Sequence, residues 1–257
     1  MKKNSKLIFR LAGNDIKSKY ASSFFGVIWA FIMPLITIIV FWFVFQMGFR
    51  NNPVDNAPYI LWFAAAYIPW IYFTDILVSG CGCMVEYSFL VKKIRFDIWI
   101  LPIVKLLAAL WVHLFFIGFL VVMCLLYRVP LTVYLFQIFY YTLGASILGL
   151  GFSYLFSSFT VFFKDMTSIV NIIVQIGFWV TPIIWNEKTI VDTRVSTVLR
   201  WNPAHYFTNG YRECLIDHKW FWENPVETIY FWSAVLVILL LGIYVFRKFS
   251  HYFADEI

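Results

Sequence analysis

Charged side chains are scarce in this sequence: Asp, Glu, Lys and Arg make up 13% of its 257 residues, against about a quarter in soluble domains. Hydrophobic residues reach 62% and the mean hydropathy is +0.78. So little polar surface could not keep a fold of this length in water, so the bulk of the chain must face lipid. The net charge of +6 is spread thinly, and no folded domain carries the Lys/Arg cluster that a nucleic-acid partner would require. Cysteine is scarce too. The four present, Cys81, Cys83, Cys124 and Cys214, show no framework spacing. Cys81-Gly82-Cys83 reads as a small-residue helix contact rather than a metal site, since structural zinc normally takes four ligands. There is no G-x-x-x-x-G-K-[ST] phosphate loop, so any ATP-driven step needs a nucleotide site on another chain. The basic start lacks a short apolar core with a small-residue cleavage site, so no cleaved signal is expected. Repeats of fixed period and low-complexity linkers are also missing, which makes the chain one membrane domain.

Catalytic machinery is equally thin. His113, in "ALWVHLFF", has no acidic neighbour at helical spacing and reads as packed or bonded between helices. His205 and Asp217 lie in a later segment without a nucleophile motif. No catalytic residue, metal set or cofactor is assigned to this chain. Asp75, in "IYFTDILVSG", is the one acid well inside an apolar segment, where ionisable groups are costly and default to functional readings. A proton-coupled carrier is one reading. A structural hydrogen bond or helix pairing near the inner leaflet is the plainer one, because no chain of Asp, Glu or His accompanies it.

Apolar runs and aromatics fill the rest. Six segments, near 27–48, 58–84, 100–126, 132–162, 168–186 and 228–247, are long enough to cross about 30 Å of hydrocarbon. The expected fold is therefore an all-α integral membrane protein with six transmembrane helices. Residues 1–26 precede them: Leu7, Ile8, Leu11, Ile16 and Tyr20 recur near helical spacing among Lys6, Arg10, Asn14, Lys17 and Lys19. That pattern predicts an amphipathic helix on the membrane surface, with a solvated basic tail as the alternative. Lys and Arg concentrate in both ends of the chain and in the connector 86–97, which puts both termini on the cytoplasmic side. Lys105 is expected to snorkel to that side. Segment 187–227 lies outside. It stays greasy through Trp201, Tyr206 and Trp222, is broken at Asn202-Pro203, and predicts two short outer helices, re-entrant or gating. At that depth such backbone survives only when buried in protein or lining a wet cavity.

Two spans carry patterns. In the fourth, Ala145, Gly149, Ser153 and Ser157 put a small residue at every fourth position, which allows close helix approach. In the fifth, Asn171, Gln175, Phe178, Pro182 and Trp185 share one face at steps of three or four. That stripe suits a pathway wall touching something polar and bulky, such as sugar rings. A helix–helix contact with packed aromatics explains it equally well.

Between the second and third spans stands "SFLVKKIRFDIWILP". Together with Pro69-Trp70, the run Leu90-Val91-Lys92-Lys93-Ile94-Arg95-Phe96 and Leu101-Pro102 resemble the same region of ABC transporter permeases that export polysaccharides, the Wzm and TagG class. "YASSFFGVIWAFIMPL", "VFFKDM", "GFWVTPIIW" and "WNPAHYFTNGYRECL" resemble further motifs of that class in the same order, so the likeness runs from about Leu7 to Tyr244. One departure is Asp97, where the class usually has proline after the phenylalanine.

The resemblance implies a permease domain over 27–257 that works as a homodimer with two separate ABC ATP-binding subunits, where ATP and Mg would sit. Its cargo would be a polysaccharide on a polyprenyl-pyrophosphate lipid, O-antigen-like, carried across the bacterial inner membrane. Capsule, teichoic acid, a drug or a lipid are alternative cargoes; a proton-coupled carrier or a membrane acyltransferase are rivals of other classes. The resemblance further implies ATPase coupling through Glu86, Leu90, Lys92, Lys93, Arg95, Phe96 and Asp97. The first and fifth spans would line the path, with Trp29, Phe43, Asn171, Gln175, Phe178 and Trp185 as candidates. Arg10, Lys17, Lys19 and Lys105 would attract the pyrophosphate, or serve orientation and headgroup binding alone. Trp201, Asn202, Pro203, Tyr206 and Arg212 would form the outer gate.

Overall fold

The computed structural model describes residues 2–48, 57–92, 96–186 and 199–257, with side chains from residue 6 onward. Lys93, Arg95 and the first part of the expected outer segment, 187–198, lie outside the described residues. The described elements are helical: α1 (Lys2–Lys19), α2 (Trp29–Trp42), α3 (Tyr59–Glu86), α4 (Ser88–Val91), α5 (Ile100–Leu126), α6 (Gln137–Thr160), α7 (Met166–Val180), α8 (Pro203–Arg212), α9 (Pro225–Phe249) and α10 (Phe253–Glu256). A 3₁₀ turn enters α2 and a π turn continues it to Gly48, while a second 3₁₀ turn, Val133–Phe136, enters α6.

Among the described residues, five helical stretches are long and apolar enough to cross a membrane: Gly26–Gly48, Tyr59–Glu86, Ile100–Leu126, Val133–Thr160 and Pro225–Phe249. The fifth expected span differs from the others. α7 has 15 residues, about 22 Å at the usual helical rise, and it starts at 166 and ends at 180 rather than running from 168 to 186. The cause is Pro182. It disfavours helical backbone in the preceding residue, and Thr181 is extended, with φ −74° and ψ 131°. Pro182 and Trp185 are therefore off the helix, and the one-face stripe ends at Phe178.

α3 is the axis of the bundle, with buried residues on every side along its 28 residues. The small-residue stripe of α6 faces it. Ser153 donates to the Ile76 carbonyl at 3.1 Å, and a Cβ on Gly80 or Gly149 would run into Ser153 or Ile76. The opposite side of α6 meets α9 just as closely, because Gly242 lies against the carbonyl of Gly151. Such contacts bring backbones together where lipid offers little hydrophobic drive for association.

α1 is amphipathic as expected. Ile8, Leu11, Ala12 and Ile16 pack on Ile100, Val104 and Ala108 of α5, while Lys6, Arg10 and Lys17 stay exposed. On the same face of the bundle, Phe253 and Phe246 join Tyr87, Val91, Leu101 and Tyr154 in one buried cluster. Both described ends of the chain thus gather at one end of the bundle. All four cysteines are free and buried.

Candidate functional site

At the α1 end, a buried ionic cluster ties three helices. Lys105 Nζ lies 2.6 Å from Asp15 Oδ1 and 2.6 Å from Glu86 Oε2. The Tyr87 hydroxyl donates to Asp15 at 2.6 Å. Lys105 is 4% exposed, so it does not snorkel to the interface. Its charge is consumed by two carboxylates, because leaving an ammonium unpaired at that depth costs more than holding it. Lys19, by contrast, is half exposed and paired with Asp75 at 2.5 Å. Burial draws its ammonium down, but the Asp75 carboxylate and its hydrogen bond outweigh that and hold it above its usual value. Of the four cations expected at the inner interface, Arg10 and Lys17 are exposed, Lys19 is paired and Lys105 is sequestered.

Glu86 ends α3, and the single turn α4 follows. Leu90 and Phe96 turn toward the cluster beneath, whereas Phe89 points outward, 60% exposed, and Lys92 and Asp97 are exposed. Asp97 opens α5: its carbonyl accepts the Ile100 N–H at 3.2 Å and its carboxylate the Trp99 N–H at 3.4 Å. Asp15, Tyr87 and Phe89 were not among the expected site residues. Asp15 had a signal, since an acid at i+7 from Ile8 falls on the apolar side of the helix.

The least buried helices are α2 and α7, where Ala30, Ile38 and Val170 alone are fully buried. Phe43 is 64% exposed. Asn171 and Gln175 are exposed beside Ile172, Ile173 and Ile176, and Asn171 Nδ2 donates to the Thr167 carbonyl at 2.9 Å. Phe178 instead joins a ring cluster with Phe41, Tyr67 and Trp70. Trp29 is partly buried against Phe25, and the Trp185 indole donates to the Trp179 carbonyl at 3.0 Å. The six path candidates therefore split between the exposed Phe43, Asn171 and Gln175 and the partly buried aromatics Trp29, Phe178 and Trp185.

At the other end α8 is buried among the spans. Asn202 caps it, accepting the Ala204 N–H at 3.0 Å and donating to Thr181 at 2.9 Å; Pro203 sits at its first turn, where a missing N–H is harmless. Arg212 is 5% exposed. Its guanidinium donates to the carbonyls of Trp62, Pro182 and Ile183 at 3.1, 2.7 and 2.7 Å and lies over the Trp62 ring at 3.4 Å. The backbone broken by Pro182 thus finds its donors on α8. Tyr206 reaches Tyr140 and Thr228 at 3.0 and 2.9 Å. Trp201 is half exposed and edges onto Tyr230.

Beside this clamp lies a polar cavity of about 250 Å³ lined by Arg212, Glu213, Asp217, Lys219 and Glu227, among others. Burial pushes the Glu213 carboxyl up to about 7, with Glu227, Asp217 and Glu223 adding to the rise and Lys219 opposing it. Among the described residues no group of His, Cys, Asp and Glu could hold a metal ion.

Crossing helices, an interfacial helix docked by a buried ion pair and an internally satisfied helix at the opposite end define a multi-pass helical membrane protein. The chain belongs to the ABC-2 type transporter membrane family, whose profile matches residues 6–216. It is 24% identical to an O-antigen export system permease protein, RfbA, of Klebsiella pneumoniae over 250 residues, 97% of this chain and 94% of that one. It is 25% identical to the Myxococcus xanthus protein of the same name over 237 residues, 91% of this chain and 88% of that one.

Proposed function

We propose that this chain is the permease subunit of an ATP-driven exporter of an O-antigen-like polysaccharide, carried on a polyprenyl-pyrophosphate lipid across the bacterial inner membrane. It works as a homodimer with two ABC ATP-binding subunits, which hold ATP and Mg, and both its termini are cytoplasmic. The observation that carries the reading is the open face of α7. Asn171 and Gln175 stand exposed there, and bare amides facing hydrocarbon are disfavoured. A second copy facing α2 and α7 turns that face into a path wall whose amides meet sugar hydroxyls. The names of the relatives supply the cargo class.

In this reading the partner grips the connector 86–97. Phe89 enters an apolar cleft, and Lys92, Lys93 and Arg95 flank it. Closure of the ATP-binding subunits moves α2 and α7 through the connector and α1, while α8 closes the far end.

The test is deletion of the chain in its own cell. Lipid-linked glycan should accumulate on the cytoplasmic side while surface glycan disappears. Normal surface glycan would sink the proposal. Changing Lys92, Lys93 and Arg95 together to Ala should release the ATP-binding subunit on purification; unchanged copurification and export would refute the coupling assignment.

A further inference from the structure

A cavity of about 180 Å³ opens beside α1 and runs between α2, α3 and α5. Its mouth carries Lys19, Tyr20 and Asp75, and along α5 it extends from Lys105 to Phe116, about 16 Å of helix. Ala30, Ala108 and Ala109 keep it wide. Pro34, also on its wall, has no N–H to bond the Ala30 carbonyl.

His113 closes the deep end. It is 2% exposed, and the network of hydrogen bonds around it assigns the proton to Nε2. Thr142 Oγ1 donates to the Ile138 carbonyl at 2.7 Å, so it accepts from the Tyr211 hydroxyl at 2.5 Å. Tyr211 in turn accepts from His113 Nε2 at 2.8 Å. The ring lies flat on Tyr72, centroids 4.2 Å apart. With Nε2 donating, Nδ1 presents a lone pair, and it has no hydrogen-bond partner among the described residues. An unmet buried acceptor is costly, and a donor must reach it through the cavity. A cavity of this size has room for on the order of ten waters.

We propose that this cavity is a water-binding site, filled from the α1 face of the membrane past Lys19 and Asp75, whose innermost molecule donates to His113 Nδ1. Water then stands at mid-span, one hydrogen bond from the chain His113–Tyr211–Thr142 that reaches α8. It also lies along the side of α2 that carries Trp29, Ala30, Met33 and Pro34, while Phe31 on the neighbouring side packs on Phe115 and Phe116 of α5.

The test is cysteine accessibility in oriented membrane vesicles, with the unsubstituted protein as blank for its four buried thiols. Ala109→Cys and Ala108→Cys place a thiol on the cavity wall, and Lys17→Cys reports which side carries α1. A charged, membrane-impermeant methanethiosulfonate should modify both wall cysteines from the side that labels Lys17→Cys, and not from the other. Asp75→Asn, which loosens the mouth, should speed that reaction several-fold. Reaction with an apolar maleimide alone would mean that a lipid chain fills the slot and would overturn the proposal. Silence toward both reagents, or charged reagent entering from the opposite side, would overturn it too. An unchanged rate in Asp75→Asn refutes the mouth. Because the side is defined by Lys17→Cys, these outcomes do not depend on the cargo or on which side is cytoplasmic.

Discussion

Replacing Lys105 with methionine keeps the apolar stem and removes the ammonium. Asp15, 3% exposed, is then left with the Tyr87 hydroxyl as its one remaining hydrogen-bond donor among the described side chains. Removing one partner of a buried ion pair costs about 3–5 kcal/mol, mostly from the orphaned charge. The Glu86 arm adds little, because that carboxylate is 51% exposed and such pairs contribute about 0–1 kcal/mol. Lys105→Met should therefore lose about 3–5 kcal/mol in equilibrium unfolding by sodium dodecyl sulfate in mixed micelles. Asp15→Asn added to it should recover about 2 kcal/mol or more, since the buried charge is gone. Glu86→Gln alone should stay within about 1 kcal/mol of the parent. The same variant should also loosen α1. A thiol at Ala12, fully buried against α5, should become reactive in Lys105→Met and remain silent otherwise. Lys105→Met within about 1 kcal/mol of the parent, or no recovery on adding Asp15→Asn, would refute the ion-pair argument.

Two further outcomes are expected. Arg212→Ala strands three carbonyls and should cost about 3–5 kcal/mol in thermal unfolding, with Arg212→Lys recovering less than half, since one ammonium cannot reproduce a planar fork; parity of Lys and Arg would refute the clamp. Glu213 makes stability depend on pH: its folded carboxyl is raised from 4.5 to about 7, so the folded state holds a proton that the unfolded state releases. Stability is fullest below about pH 4.5, falls as pH rises toward 7 and is level above. A partly open site screens the effect to on the order of 1–2 kcal/mol. Glu213→Gln should flatten that slope, and an unchanged slope in unfolding curves between pH 5 and 8 would refute the assignment.

Legibility in the sequence followed the range of the interaction. Helices rest on local composition, so the α1 amphipathy, the limits of α3, α5 and α9, and the stop at Asn202-Pro203 could be read within a few residues. The early end of α7 was also local and legible in Pro182, which kinks or ends a helix, although the apolar run through Trp185 carried the expected span to 186. The stripe on α6 announced a close contact, and the fold adds that it faces α3 while Gly151 makes a second one with α9. Lys105 misled because charge in a span suggests a route to the interface. Its partners lie 90 and 19 positions away in the chain, and no spacing rule connects them.

The sequence by itself determined that this chain crosses a membrane as helices and that its basic residues concentrate at both ends and in the connector 86–97. Those properties follow from transfer free energy and backbone hydrogen bonding, which each segment satisfies alone. The tertiary structure decided which polar groups are spent and which are open. Arg212 is used up holding the backbone beyond α7, and Lys105 is used up holding α1. Asn171 and Gln175 remain exposed, and His113 faces a cavity. A polar group inside a membrane must find a partner, and which partner it finds depends on helices brought together from distant parts of the chain.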